Sequence, residues 1–227
     1  MTGEWTYVHD FRVPGMLHAR VVRPDRIGAP LLSYDDGAAR KVNDFVRTVR
    51  KDNFLAVLAK TEWGAVKAMR AMKADWGPAE SLPDPATVFD HWRGLKLAKE
   101  DVTQKVGDAP AALAAAKRKV KARYDFAVQT HASIGPSCAV AQFREGQLTV
   151  WSASQATHSL VTEIAPIVGI APEKIRIVHL EGAGCYGRNG HEDASADAAL
   201  LSVQRRGVPC ACGSRAVKTA KPPNSKK

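Results

Sequence analysis

A glycine-rich segment at residues 182–187, GAGCYG, follows the apolar run IRIVHLE and precedes the helix-like segment HEDASADAALLS. Its spacing, Gly-x-Gly-x-x-Gly, is typical of the turn that holds a dinucleotide pyrophosphate between a strand and a helix N-terminus. Such a site also needs an acidic residue about 20 positions further on, after a second parallel strand. The chain has no Asp or Glu after Asp197. The spacing therefore indicates a tight strand-to-helix turn. The missing acidic residue disfavours a nicotinamide or flavin site.

The rest of the chain consists of short β-rich runs separated by a few helical segments, which is the pattern of an α+β fold. Residues 15–24 alternate apolar and polar side chains and predict a half-buried strand. Residues 45–60 predict a hairpin that turns at residues 51–53. A helix is predicted over residues 61–76, with Thr61 as its N-cap. Its apolar face is expected at positions three apart, namely Trp63, Val66, Met69 and Met72.

A Pro-rich stretch at residues 77–84, GPAESLPD, marks a candidate boundary. Short helices are predicted in residues 85–96 and in the Ala-rich segment 108–119. The run KVKARYDFA at residues 119–127 then predicts a strand, because apolar and charged residues alternate along it.

The following segment predicts a second hairpin, in residues 137–154, that turns at Glu145 and Gly146. A helical stretch follows, which Pro166 must bend or divide. One more strand is predicted within residues 171–181, immediately before the glycine-rich segment.

The net charge of +10 is concentrated at one end of the chain. Residues 203–227 hold seven basic and no acidic residues, so the preceding residues carry only +3. We interpret this end as a solvated basic tail and predict no nucleic acid partner. No apolar stretch of about 18 residues and no signal peptide is visible, which predicts no membrane span. A cytoplasmic location is expected, with the periplasm as the alternative for a longer parent protein.

Three polar stretches in the second half each follow a predicted regular element, and they lie at residues 129–137, 152–158 and 182–190. Loops gathered at element ends are common positions for binding groups. Gln155 offers both a donor and an acceptor, and the glycine-rich segment offers backbone N–H groups that an oxyanion or a metal-oxo group could approach. We therefore expect these loops to form one site.

Four segments resemble, in this order, the molybdenum-binding subunit of the xanthine dehydrogenase and aldehyde oxidase family: GEWTYVHDFRVPGMLHARVVRP, THASIGPSCAVA, LTVWSASQATH and EGAGCYGRNGHEDASADAALLS. The most similar branch is the isoquinoline 1-oxidoreductase β subunit type, and the resemblance covers residues 2–202. It implies an α/β hammerhead domain followed by the beginning of a molybdopterin-binding domain, with a mixed sheet and helices. The implied reaction is the hydroxylation of an aldehyde or an N-heterocycle with oxygen from water.

The resemblance also implies a cofactor and a partner. The cofactor is molybdopterin cytosine dinucleotide, and we expect this chain alone not to hold it. The partner is a small iron–sulfur subunit that receives the electrons. With this resemblance, the sequence predicts a hammerhead domain at residues 1–80, a linker with short helices at 81–116 and the start of the molybdopterin-binding domain at 117–204. A basic, disordered tail is predicted at 205–227, where VPCACG could be the product of a shifted reading frame.

Five cofactor-binding residues follow from the resemblance. Gln155 matches the family glutamine that hydrogen-bonds a molybdenum oxo ligand. Gly184, Cys185, Tyr186 and Gly187 match the loop beside the metal, which is often written Gly-Phe-Gly-Gly. Cys185 stands where the family often has Phe, and Tyr186 where it often has Gly, so a Tyr could shape the substrate pocket here. No protein ligand to the metal is predicted, because the pterin dithiolene supplies the sulfur.

The catalytic base of the family is a glutamate near the far end of a subunit several hundred residues longer, so no catalytic residue is assigned here. We therefore expect a truncated molybdenum hydroxylase large subunit that is inactive in this form. Two alternatives stay open: a non-catalytic protein that binds an iron–sulfur subunit, and a basic protein that binds nucleic acid. Metal and pterin analysis separates the first of these from the leading interpretation.

Overall fold

The computed structural model describes residues 3–127, 133–186, 193–204 and 209–213. Contacts between backbone positions divide the chain into two compact units. The first comprises residues 1–80 and 131–227, and the second comprises residues 81–130.

The described residues contain nine strands and five α-helices. The strands are β1 (Leu17–Val22), β2 (Leu31–Asp35), β3 (Phe45–Lys51), β4 (Phe54–Ala59), β5 (Lys73–Trp76), β6 (Cys138–Arg144), β7 (Gln147–Ser152), β8 (Ile175–His179) and β9 (Cys210–Gly213). The helices are α1 (Glu62–Ala71), α2 (Val88–Gly94), α3 (Ala109–Ala115), α4 (Thr157–Val168) and α5 (Asp193–Gln204).

Seven of the strands form one mixed sheet in the order β3-β4-β1-β9-β6-β7-β8. Strand β9 lies in the middle, parallel to β1 and antiparallel to β6. It therefore joins strands from residues 17–59 to strands from residues 138–179, which the sequence assigns to two domains. Strands β2 and β5 form a separate antiparallel ribbon. The α+β fold with a mixed sheet and helices is confirmed.

Both predicted hairpins are confirmed. Strands β3 and β4 pair antiparallel around a turn in which Asp52 has a positive φ of 51°. Strands β6 and β7 pair antiparallel around Glu145 and Gly146, with φ values of 52° and 79°. Two consecutive residues with positive φ match the twist of the flanking strands, which explains why the turn closes so tightly.

Helix α1 begins as predicted, because the Thr61 hydroxyl oxygen accepts a hydrogen bond from the backbone N–H of Gly64 at 3.1 Å. It is shorter than predicted, since it ends at Ala71 and residues 73–76 form β5. The predicted apolar face is confirmed in part, because Met69 and Met72 are partly buried and pack against the core, whereas Trp63 is 57% exposed beside Arg70. The fully buried positions of the helix are small residues, namely Gly64, Ala65 and Ala68. Close packing of the helix on the sheet requires small side chains there.

The central sheet has a core on each face, because successive strand residues point to opposite sides. On one face Val57 packs with Ala39 and Ala68 beneath α1. On the other face Ala56 and Leu58 belong to the main core. That core also includes buried residues of α4 and α5, among them Leu160, Ile164, Ala198 and Leu201.

Strand β9 corrects the prediction of a disordered tail over residues 205–227. Cys210, Ala211 and Cys212 are buried and paired on both sides, so disorder is wrong for residues 210–213. Residues 205–208 and 214–227 lie outside the described residues. The prediction failed because it relied on charge and on the lack of a pattern, whereas burial here depends on β1 and β6.

The second unit departs from the prediction of a strand at residues 119–127, since no strand is present among them. Val120 is 93% exposed and Phe126 is 84% exposed. A half-buried strand needs a neighbour for its backbone and a surface for its apolar side chains, and the described part of the chain supplies neither here. An ion pair between Arg93 of α2 and Asp125 holds this segment to the helix.

An ion pair between a buried carboxylate and an exposed guanidinium links α5 to the end of β1. An Arg23 guanidinium nitrogen lies 2.5 Å from an Asp197 carboxylate oxygen, and Asp197 is buried. Burial raises the pKa of Asp197 to about 6, and the negative charge of Asp193 adds to this effect while Arg23 opposes it. Desolvation of the carboxylate therefore outweighs the attraction of its partner.

The raised pKa predicts a stability that falls with rising pH. Because the folded chain retains a proton on Asp197 that the unfolded chain loses from about pH 4, this group lowers the free energy of unfolding by up to about 3 kcal/mol between pH 4 and 6. Urea unfolding across this range should show that Asp197→Asn removes the slope. The exposed Asp25→Asn serves as the control. An unchanged slope in Asp197→Asn would show that other groups cause the pH dependence of the free energy of unfolding.

The position of β9 predicts which cysteines react with a thiol reagent in the native chain. Burial raises the pKa of the Cys212 thiol well above its usual range, so Cys212 should be inert to alkylation until the chain unfolds. The buried Cys210 should behave in the same way, whereas the half-buried Cys138 and Cys185 should react first. Mass spectrometry of alkylated peptides measures all four. Rapid native labelling of Cys210 and Cys212 would restore the prediction of a disordered tail.

Candidate functional site

Two parallel strands place the candidate loops at one edge of the sheet. Strand β8 pairs with β7 in register, with Ser152 opposite His179, and α4 connects the two strands. A crossover of this kind brings both carboxyl ends to the same edge. The backbone N–H of Leu180 then donates to the carbonyl oxygen of Ser152 at 2.9 Å, so the loops after both strands begin side by side.

The side chains of Gln155 and Cys185 meet at this edge, although 30 residues separate them. The Cys185 thiol donates to Oε1 of Gln155, with a distance of 3.0 Å between the two atoms. Gln155 is exposed, and its amide nitrogen makes no hydrogen bond within the described residues. The predicted proximity of Gln155 to the glycine-rich loop is confirmed. The contact leaves the amide donor of Gln155 directed to solvent or to a ligand.

A third loop, residues 133–137, joins the same cluster. The Ser133 hydroxyl donates to the carbonyl oxygen of Gly184 at 3.0 Å. An added Cβ at Gly135 would lie 2.9 Å from Cβ of Ala183, so the two backbones approach more closely than side chains allow. The expectation that three loops form one cluster is therefore confirmed for their described residues.

The glycine-rich loop needs glycine at two positions for steric reasons. A Cβ on Gly182 would lie 2.5 Å from Cβ of Ala153, in the loop after β7. Gly184 has a φ of +100°, and a Cβ there would lie 2.4 Å from the ring of Tyr186. The connection from β8 to α5 extends from residue 180 to residue 192, and residues 187–192 lie outside the described residues, so the tight strand-to-helix turn stays a prediction. Gly187, the last of the predicted site residues, lies outside the described residues.

Tyr186 covers the loop from its outer side. Its ring lies over Gly184 and is 57% exposed, and its backbone has a positive φ of 49°. This left-handed conformation favours glycine, which explains why a Gly is expected from the resemblance at this position. Tyr186 therefore places an exposed aromatic ring at a position whose backbone conformation favours glycine.

The space enclosed between the loops is small. A cavity of about 10 Å³ lies among Ser133, Cys138, Ala153, Gly184 and the imidazole of His9. It has room for about one water molecule. The His9 ring also makes a hydrogen bond of 2.7 Å to the carbonyl oxygen of Pro136. The cavity is therefore too small for a ligand larger than a water molecule.

Buried hydroxyl groups support the loop after β7, and the sequence analysis missed them. The Ser195 hydroxyl of α5 donates to the Ser152 hydroxyl at 2.8 Å, and both residues are fully buried. Ser152 also accepts from the backbone N–H of Ser154 at 3.1 Å. The sequence signal was the presence of Ser195 and Ser202 in the largely apolar segment SADAALLS. A buried hydroxyl in such a helix must find a hydrogen-bond partner.

Two further findings concern metal ligands and membrane spans. Among residues 3–127, 133–186, 193–204 and 209–213, no three His, Cys, Asp or Glu side chains are grouped closely enough to hold a metal ion. Within these same ranges, none of the helices has the length and apolar character that a membrane span requires.

The chain is similar in sequence to known molybdenum enzymes. A family model described as the molybdopterin cofactor-binding domain matches residues 95–215, which include all three loops and β9. A nicotinate dehydrogenase polypeptide of Pseudomonas putida is 40% identical over 215 residues, a span that covers 90% of this chain and 18% of the relative. The β subunit of isoquinoline 1-oxidoreductase from Brevundimonas diminuta is 29% identical, over 88% of this chain and 27% of the relative.

The fold is similar to that of solved structures. The aldehyde oxidoreductase of Desulfovibrio gigas aligns with a TM-score of 0.75 and 18% identity, over 93% of this chain and 28% of that protein. Quinoline 2-oxidoreductase of Pseudomonas putida aligns with a TM-score of 0.71 and 17% identity, over 94% of this chain and 33% of that protein. The chain thus spans less than a third of the length of the two curated relatives described above. It belongs to the molybdopterin cofactor-binding domain family.

Proposed function

We propose that this chain forms one wall of a molybdopterin site in a molybdenum hydroxylase large subunit. The observation that carries the proposal is the hydrogen bond between Cys185 and Gln155, which joins the loops after β7 and β8 at one edge. The relatives whose names specify an activity act as nicotinate, isoquinoline and aldehyde oxidoreductases. The substrate class is therefore an aldehyde or an N-heterocycle.

The residues at this edge fit one side of such a cofactor. An oxo ligand or a phosphate accepts hydrogen bonds, and the exposed amide nitrogen of Gln155 is a donor with no partner among the described residues. Its Oε1 already accepts from Cys185, which leaves the donor end of the amide available. The Tyr186 ring packs against the backbone of Gly184. Both residues would lie beside the metal. The five residues proposed to contact the cofactor are Gln155, Gly184, Cys185, Tyr186 and Gly187.

When bound, the molybdenum centre would accept electrons from a substrate carbon that is hydroxylated with oxygen from water. This chain would orient the cofactor and restrict the position of the substrate. Gln155 would hold an oxygen atom of the cofactor in one direction, and preorganised donors of this kind lower the free energy of charged states. Tyr186 would restrict the substrate from the outer side of the loop. The same proposal includes the cytosine dinucleotide form of the pterin and a small iron–sulfur protein as the partner.

A second candidate function is that of a non-catalytic interaction protein. The exposed residues Val120, Tyr124 and Phe126 favour it, because they alternate with charged residues along an unpaired extended segment. Exposed apolar residues in a row of this kind are typical of a surface that a partner covers. Titration with added molybdopterin distinguishes the two functions, since only the first requires the loop edge to bind the cofactor.

As isolated, the chain is expected to carry no stoichiometric molybdenum and to oxidise neither aldehydes nor N-heterocycles. The resemblance places the catalytic glutamate far outside the residues matched here, and general-base catalysis needs that group within hydrogen-bond reach of its proton. Elemental analysis and a dye-reduction assay measure both properties. Turnover together with bound molybdenum would contradict this expectation.

Added molybdopterin is expected to bind the chain weakly, at the edge that Gln155 and Cys185 form. Under anaerobic titration, NMR shifts should concentrate at residues 154–156 and 183–186. Gln155→Ala should weaken binding about fivefold, the factor that corresponds to one net hydrogen bond. The matched control is Gln147→Ala, which removes an exposed glutamine from the opposite end of β7. Shifts located elsewhere, or equal effects of the two substitutions, would refute the proposed site.

A further inference from the structure

The turn that presents Gln155 is built from buried hydroxyl groups rather than from regular secondary structure. The Ser152 hydroxyl accepts from the backbone N–H of Ser154, and the Ser154 hydroxyl accepts from the backbone N–H of Ala156, each at 3.1 Å. Both serines are fully buried. The second hydrogen bond spans Gln155, so the backbone position of Gln155 depends on the Ser154 hydroxyl, and the Ser154 backbone N–H depends in turn on the Ser152 hydroxyl.

The hydroxyl of Ser195 fixes the position of the Ser152 hydroxyl. Ser195, in the first turns of α5, donates to the Ser152 hydroxyl oxygen at 2.8 Å. Ser195 is also fully buried, so water does not compete for this hydrogen bond. The Ser152 oxygen therefore accepts two hydrogen bonds, one from α5 and one from the turn. Its position cannot change without breaking one of them.

We infer that Ser195 is a positioning residue, which acts through Ser152 to hold the 152–156 turn and thereby to direct the Gln155 amide. What Gln155 binds rests on the proposed function, whereas its coupling to Ser195 does not. Ser152 also links the turn to the glycine-rich loop, because its carbonyl oxygen accepts from the backbone N–H of Leu180. A displacement of Ser152 would therefore alter the distance between Gln155 and Cys185.

The same helix contains a serine that separates this role from simple stabilisation of the fold. Ser202 is fully buried on α5, and its hydroxyl accepts from the backbone N–H of Phe143 at 2.7 Å. Phe143 lies near the end of β6, which is at the opposite edge of the sheet from Gln155 because β6 and β7 are antiparallel. Ser202 therefore supports α5 on the sheet without contacting the turn.

Amide hydrogen exchange in the 227-residue chain tests the coupling. Ser195→Ala should raise the exchange rates of the Ser154 and Ala156 amides about fivefold, the factor that corresponds to one net hydrogen bond, and should shift the side-chain amide signal of Gln155. Ser202→Ala should leave these signals unchanged and should raise exchange at Phe143. Ser195→Cys, which retains a weak donor of similar size, should give an intermediate result.

A double-substitution cycle covers the case in which a single variant folds poorly. If Ser195 acts through Ser152, the exchange rates in Ser152→Ala and in the double variant should be equal, because the second substitution removes a contact already lost. Substitutions at Ser152 and Ser202 should instead combine additively. Additive effects of Ser152 and Ser195 at the turn would overturn the inference. So would a response of Gln155 to Ser202→Ala as large as its response to Ser195→Ala.

Titration with molybdopterin separates this inference from the proposed function. If the exchange results agree with the coupling but molybdopterin does not bind at Gln155, the positioning role of Ser195 stands and the cofactor site fails. In the opposite case molybdopterin binds at Gln155, and Ser195→Ala changes neither its affinity nor the exchange rates. The cofactor site then stands and the positioning role fails.

Discussion

The hydrogen bonds of Ser152 connect the three parts of the molecule on which the candidate site depends. Its carbonyl oxygen accepts from Leu180, at the start of the glycine-rich loop. Its hydroxyl oxygen accepts from Ser154, in the adjacent turn, and from Ser195, in α5. Because Ser152 is fully buried, breaking any of these bonds would leave a polar group without water as a substitute partner. The two loops and the helix are therefore expected to keep one arrangement.

Strand β9 has a comparable effect on the sheet as a whole. It pairs with β1 on one side and with β6 on the other, so the hairpin β3–β4 and the site strands β7 and β8 belong to a single sheet. Helix α5 packs on β6 and β9 and contributes the buried Asp197, whose ion pair with Arg23 reaches the end of β1. The helix that supports Gln155 from below is thus attached to both halves of the sheet.

Local patterns in the sequence predicted the local structure well. The two hairpins, the N-cap of α1 and the strand before the glycine-rich loop depend on neighbouring residues, and all are confirmed. The proximity of Gln155 to Cys185 could also be predicted, because two parallel strands joined by a crossover have their carboxyl ends at the same end of the sheet. Strand β9 and the role of Ser195 could not be. Their burial depends on partners far away in the chain, and a short run such as CACG has no periodicity that reveals them.

Tyr186 combines a bulky side chain with a backbone conformation that favours glycine. Its φ of 49° is in the region that favours glycine, and a β-carbon there is tolerated at some cost in strain. The ring lies over Gly184, where a β-carbon would be 2.4 Å from it, so Gly184 must lack a side chain for the ring to fit. The glycine at 184 and the tyrosine at 186 are therefore linked by packing.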